Sequence, residues 1–293
     1  MALTLDLSRR ILNFLASSKS PPGINPARMQ RIAQVVGSRS SLRLVLENCM
    51  DPHNASACIR TAESFGIAHV HVIESFSTFR PSETVASGAH TWTLVHHHPS
   101  VEHCRAALAE ANCALVASDL SGNATELLHG VRSWLPSLST LTTEQRRALT
   151  NVLDERAAIA AIRLTPDSVL KHEAAAPPTP PATPIVKAHA SPVLKPVQSL
   201  ALAFGNESRG VSRLLVNSSD ATFFLKTVGF TQSLNLSCAV AATLGTLQGI
   251  NLLDGLPMSQ DEQTILQVRF LLSHGSRTMT ELLRRAGIEV PGL

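Results

Sequence analysis

The chain has 293 residues, 44% hydrophobic and 16% charged, which allows a sizeable core and excludes a chain that is disordered throughout. No run approaches the roughly 18 uncharged apolar residues of a membrane span. Five cysteines without a CxxC pair (Cys49, Cys58, Cys104, Cys113 and Cys238) argue against a zinc ribbon or disulfide scaffold and read as small core residues. The net charge of +3 is uneven, with +5 over residues 1–41 and −4 over 42–120, which fits a basic polyanion-binding arm, a solvated tail or a targeting peptide.

Leu3 to Leu15 has apolar helical spacing with Arg9 and Arg10, followed by Lys19, serines and Pro21-Pro22. Poor in acid, residues 1–24 read equally as a plain helix or as an organellar transit peptide, so cytoplasm, mitochondrion and plastid all stay open. A second helix pattern, Pro26 to Val36, carries Arg28 and Arg31 one turn apart. Leu42 to Glu47 reads as a strand and Asn48 to His53 as a loop. Ala55 to Phe65 then reads as a helix ended by Gly66, and Ile67 to Ile73 as a second strand. This succession predicts a parallel sheet in an α/β fold. Pro99 to Ala111 follows as a helix and Ala114 to Ala117 as a strand.

The pattern then breaks. Leu141 to Ile162 has helical character, but the PPTPPATP run cannot pack as a helix or a central strand. Residues 121–195 therefore read as a Pro-rich insertion without assigned chemistry. The α/β pattern resumes at Leu200 to Phe204 and Thr222 to Leu225, and two helices close the chain, Ser233 to Leu253 and Gln263 to Ala286.

Three clusters carry chemistry, each at a strand's C-terminal end, where open α/β sheets place their ligands. In Asp51 to Arg60, a helix starting after Asn54 makes Asn54 its N-cap, and Arg60 stands on an otherwise small, apolar face. In Phe204 to Ser212, Gly205 and Gly210 permit close backbone approach, while Glu207 binds a ligand or caps the next helix. The spacing is neither GxGxxG nor a P-loop. In Gly229 to Ser237, a polar turn opens a helix of small residues, either a ligand site or an ordinary cap. His96-His97-His98 reads as a surface run, and His69 and His71 share a strand face without a third ligand, so no metal site is expected.

Pro52-His53-Asn54 through Arg60-Thr61, Phe204-Gly205-Asn206-Glu207 with Gly210, and Gln232 through Ser237 together resemble the three ordered motifs of the SpoU/TrmH family. These are RNA ribose 2′-O-methyltransferases of the SPOUT superfamily. Asn25-Pro26-Ala27-Arg28, Ser82-Glu83-Thr84 and His90-Thr91-Trp92 are similar to its tRNA-guanosine branch. The resemblance implies a parallel sheet flanked by helices, a C-terminal deep trefoil knot and a homodimer. It further implies methyl transfer from S-adenosylmethionine (AdoMet) to a tRNA guanosine, at D-loop position 18. An rRNA ribose methyltransferase and a non-catalytic RNA-binding protein are the rival readings.

By the same resemblance, AdoMet contacts fall on Ser118, Gly205, Asn206, Glu207, Ser208, Arg209, Leu225 and Leu234. Arg60 acts as base or as phosphate-orienting group, Asn54 positions Arg60 or the ribose, and Ser233 and Asn235 complete the pocket. Glu207 positions substrate or cofactor, and Arg28, Arg31 and His53 meet RNA. Departures from the family pattern at Leu225-Lys226-Thr227, Thr91, Gly249 and Asn251 fall on RNA contacts; the N-terminal arginines, Arg269, Arg277, Arg284 and Arg285 are the compensating candidates. The expected organisation is a basic arm (1–41), a methyltransferase domain (42–253) interrupted by 121–195, and a helical extension (254–293).

Overall fold

Strand β1 (Ser40–Glu47) is buried along almost its whole length, the continuous apolar run of a parallel strand covered on both faces. The computed structural model describes residues 3–17, 25–80, 88–120, 124–163, 194–231, 233–273 and 277–290. Within them β1 pairs with β2 (Ile67–Ile73) on one side and β6 (Ser199–Phe204) on the other. Outward from these lie β3 (Leu94–His98), β4 (Cys113–Ser118), β7 (Ala221–Phe224) and β5 (Thr125–Glu126). The order is β3-β2-β1-β6-β4-β7-β5 and every pairing is parallel, as the strand–helix–strand succession predicts. All strand C-termini therefore open on one edge.

On one face α3 (Pro52–Ser64), α5 (Leu127–Trp134), α6 (Thr143–Arg163) and α8 (Leu236–Gln248) enclose the main core around Leu44, Leu202, Phe204 and Phe223. On the other face α4 (Val101–Glu110) and α7 (Arg213–Ser218) cover Val45, Leu115 and Ala203. A third cluster joins α1 (Leu5–Ser17) and α2 (Pro26–Gly37) to α10 (Gln260–Ser273) and α11 (Arg277–Arg285) through Ile11, Ile32, Phe270 and Leu283. No helix among the described residues is long and apolar enough to cross a membrane.

Several expectations change. The described part of the basic N-terminus is a packed helical layer rather than a free arm, with Arg9 paired to Asp261 at 2.9 Å. Residues 18–24 of the candidate leader lie outside the described residues. The described helices of the expected insertion pack on the core: Leu127, Val131, Trp134, Leu149 and Leu153 are buried in the main cluster, with the spacing of amphipathic helices. The Pro-rich run itself lies outside the described residues. The helix expected through Leu253 stops at Gln248, because Asn251 takes a left-handed φ of 61° before the short α9 (Leu252–Gly255). The last expected helix is two, α10 and α11. Cys238 is exposed, whereas the other four cysteines are buried.

The histidine run is not a surface run. Strand alternation turns His96 and His98 toward His69 and His71 on β2, and His97 outward to Glu74 at 2.9 Å. His69 Nδ1 meets His96 Nε2 and His71 Nδ1 meets His98 Nε2, each at 2.9 Å, and the four rings stack in a column. Burial, with neighbouring Arg43 and the other rings, pushes His96 down to about 4 and His71 to about 2, so both are uncharged at neutral pH.

Trp134 tests whether residues 124–158 belong to the core, since its ring is 1% exposed and packs onto Gly130, where a Cβ would lie 2.6 Å away. Trp134→Ala is expected to lower folding stability by about 3–5 kcal/mol in urea unfolding, with one transition retained. An insertion folding apart from the sheet would leave the main transition unmoved.

Candidate active site

The loop after β1 is set by its cap. Asp51, not Asn54, is the N-cap of α3: its side chain accepts from His53 N at 2.8 Å, and Pro52 takes the first helical position. Asn54 thus stands inside the first turn, buried, with its amide free for tertiary bonds. Its Nδ2 donates to Glu207 Oε1 at 3.3 Å, and its Oδ1 accepts from Asn235 Nδ2 at 3.1 Å. Asn235 is the N-cap of α8, accepting from Ser237 N at 2.9 Å and Cys238 N at 3.3 Å. Three motifs far apart in sequence are joined by a chain of two amides and one carboxylate.

Glu207 also accepts from Cys49 Sγ at 3.2 Å, Met50 N at 3.3 Å and Asp51 N at 3.4 Å. Burial raises its pKa, but its own backbone N–H together with the Cys49, Met50 and Asn54 donors outweighs burial and holds the carboxyl below the usual range. Burial and Glu207 in turn hold the Cys49 thiol protonated. Glu207 therefore fastens the β1–α3 loop; the next helix, α7, is capped by Ser212 instead.

The loop after β6 closes on itself. Asn206 and Gly210 exchange backbone hydrogen bonds of 2.9 and 2.8 Å, with Gly210 at a φ of +67°. A Cβ on Gly205 would lie 2.0 Å from the Gly210 carbonyl carbon and the Val211 nitrogen, so only glycine fits there. Asn206 Oδ1 accepts from Ser208 N and Arg209 N while its Nδ2 donates to Asn48 O at 2.7 Å, so its side chain serves the loop.

Against this loop lies a cavity of about 370 Å³. Ser118, Gly205, Asn206, Glu207, Ser208, Arg209, Leu225 and Leu234 all line it, and so does Ser233. Phe204 and Leu236 of its apolar wall belong to the quoted motifs, while Phe223 and Phe224 stand outside them, at the end of β7, the one available signal. Arg60 and His53 are exposed on α3, and Arg60 makes no hydrogen bond or ion pair among the described residues. Arg28 and Arg31 are exposed on α2 and do not line the cavity. Gln232 and Ser82-Glu83-Thr84 lie outside the described residues.

A family profile assigns this parallel α/β sheet, with its closed glycine loop and capped small-residue helix around a cavity, to the methylases. The SpoU rRNA Methylase family profile matches residues 41–134 and 132–245, and the chain belongs to that family. It is similar to the tRNA (guanosine(18)-2′-O)-methyltransferase of Escherichia coli, 33% identical over 104 residues, 35% of this chain and 45% of that protein. The protein of the same name in Thermus thermophilus is 28% identical over 120 residues, 37% of this chain and 62% of its own length. The chain thus spans about half the length of these curated relatives. Its fold is similar to that of the A. aeolicus TrmH/SpoU tRNA modifying enzyme, with a TM-score of 0.56, 18% identity, and 84% of this chain and 96% of that chain covered.

The depressed Glu207 carboxyl makes a directional prediction. A folded-state pKa below the unfolded value contributes stability that is present above the unfolded pKa and is lost as pH falls through the folded one. The stability gap between wild type and Glu207→Gln should be constant near neutrality and close on acidification. Denaturation midpoints across the acid range check this, and a gap independent of pH would remove Glu207 as the fastening charge.

Proposed function

We propose that this protein transfers the methyl group of AdoMet to the ribose 2′-hydroxyl of a tRNA guanosine, at position 18 of the D-loop. The observation that carries the reading is the cavity of about 370 Å³ lined by the second and third motifs, to which Glu207 ties Asn54 of the first at 3.3 Å. It falls within the range of about 300–1,000 Å³ of small-molecule sites. The names of the relatives supply the tRNA guanosine. The residues present fit AdoMet: a glycine loop that a Cβ would obstruct, an apolar wall for a flat base, and polar Ser118 and Arg209 at its border. Ser118, the 205–209 loop, Leu225 and Leu234 are assigned to hold it. When bound, AdoMet supplies an electrophilic methyl group.

The remaining chemistry belongs to the chain. A ribose hydroxyl must lose its proton or be strongly polarised to attack. A guanidinium keeps its proton up to a pKa of roughly 12 or more, so Arg60 is assigned to orient the RNA phosphate and stabilise the developing alkoxide. Asn54 and Asn235 position the loop and the α8 N-terminus beside it, and Ser233 borders the site. The α2 arginines, Arg28 and Arg31, and His53 are assigned to RNA phosphates.

The reading includes the family's trefoil knot and a homodimer. Two late strands, β6 and β7, insert between strands laid down earlier, which supports a threaded chain. Val228 and Phe230 stand fully exposed near the cavity, which supports a second copy covering them. Residues 42–253 form the methyltransferase domain of this reading, with the flanking helices assigned to RNA capture.

Arg60→Ala is expected to lower methyl transfer to bulk tRNA by at least about 10²-fold while AdoMet affinity stays nearly unchanged. Radiolabelled transfer to separate tRNA and rRNA fractions, followed by mapping of the modified nucleotide, checks both substrate and mechanism. AdoMet binding without transfer to either fraction overturns the enzyme, label confined to rRNA overturns the substrate, and full turnover of Arg60→Ala overturns its role.

A further inference from the structure

The histidine column meets a cysteine away from the cavity. His71 on β2, His98 on β3 and Cys104 on α4 each offer a ligand atom, and these atoms all lie within 4.8 Å of one another. We propose that His71, His98 and Cys104 form a binding site for a borderline-soft transition-metal cation of the Zn²⁺ type. Two imidazoles and a thiolate suit such an ion and not Mg²⁺ or Ca²⁺, which take oxygen ligands. The ligands come from two paired strands and the helix packed on them, so rigid elements hold all three.

The distances fall short of a bound site by amounts side chains can make up. Nitrogen ligands about 2.0–2.1 Å from a tetrahedral metal lie about 3.3 Å apart. His71 Nδ1 and His98 Nε2 are at 2.9 Å, sharing one proton in a hydrogen bond; the cation takes that place as the donor ring's proton shifts to its other nitrogen, and the pair opens slightly. The Cys104 thiol gives its proton to solvent and becomes the thiolate ligand. A water completes the tetrahedron, as in sites with three protein ligands.

The surroundings impose one movement. Coordination through His71 Nδ1 leaves the ring proton on Nε2, facing Arg43 Nη1 at 3.5 Å. Arg43 is already held by Glu262 through Nη2 at 3.0 Å, so turning the guanidinium toward that carboxylate removes the opposition. Entry lies by the surface side of the column, where His69 and His96 are partly exposed and His98 is 9% exposed; Cys104 lies fully buried behind them. The bound ion would pin edge strand β3 and α4 to the sheet.

Cobalt is the probe. Chelator-treated full-length protein titrated with Co²⁺ should develop a near-ultraviolet sulfur-to-cobalt charge-transfer band that saturates at a single equivalent, with a rise in Tm. Cys104→Ser should lose the band, which separates this site from exposed Cys238. Because Cys104 is buried and substitution there can block folding, His98→Ala is the second arm and should weaken cobalt binding by more than about tenfold. A titration without the band, a band that survives Cys104→Ser in folded protein, or unchanged affinity in His98→Ala overturns the site.

Discussion

The candidate site depends on one carboxylate. Glu207 lies on the loop after β6 but accepts its hydrogen bonds from the loop after β1: Cys49, Met50, Asp51 and Asn54. A carboxylate gathering several donors fixes a loop far better than a neutral acceptor, since each charge-assisted bond is roughly twice as strong as a neutral one. Through Asn54 the same carboxylate reaches Asn235 and the first turn of α8. The cavity floor, the start of α3 and the start of α8 are therefore one mechanical unit. Its rigidity rests on polar groups, at an edge of the sheet where hydrophobic packing runs out.

The sheet explains why these loops meet at all. Because every strand is parallel, each loop that follows a strand emerges at the same edge, and the central neighbours β1, β6 and β4 bring together residues far apart in sequence. This much was legible: apolar runs, glycine after Phe204 and the order of elements gave the fold class and most strand positions. Asn54 shows where local reading fails. Asp51 and Asn54 are both good caps, and the deciding signal was Pro52, which fits the first helical position and so selects Asp51. The cavity's apolar wall was not legible, since phenylalanine at a strand end reads the same whether it faces a core or a ligand.

Two further misreadings have opposite physical causes. Residues 124–158 sit beside a Pro-rich run and by composition read as part of it, although Leu127, Val131 and Trp134 already carry helical spacing. Composition over a long window hid periodicity over a short one. The histidines were hidden in the opposite way, because β3 is a short edge strand whose polar residues give no hydrophobic alternation to detect. Once the strand exists, a period of two turns a run of three into two inward rings and one outward ring. The inward pair then finds partners on β2 that no local rule could supply.

Helix geometry constrains how Arg60 acts. Six residues at about 100° each place Arg60 roughly 240° around α3 from Asn54, so the two side chains leave on different faces. Asn54's face is committed to Glu207 and Asn235, and Arg60 accordingly stands in solvent. Within one chain the two therefore do not converge on a single small group. In the proposed reaction, Arg60 must meet an RNA backbone that wraps around α3, or serve the cavity of a second copy. The second arrangement needs less of the RNA. In the proposed dimer a second copy over Phe230 and Val228 would also cover the bare apolar loop, beside giving the exposed Arg60 a site.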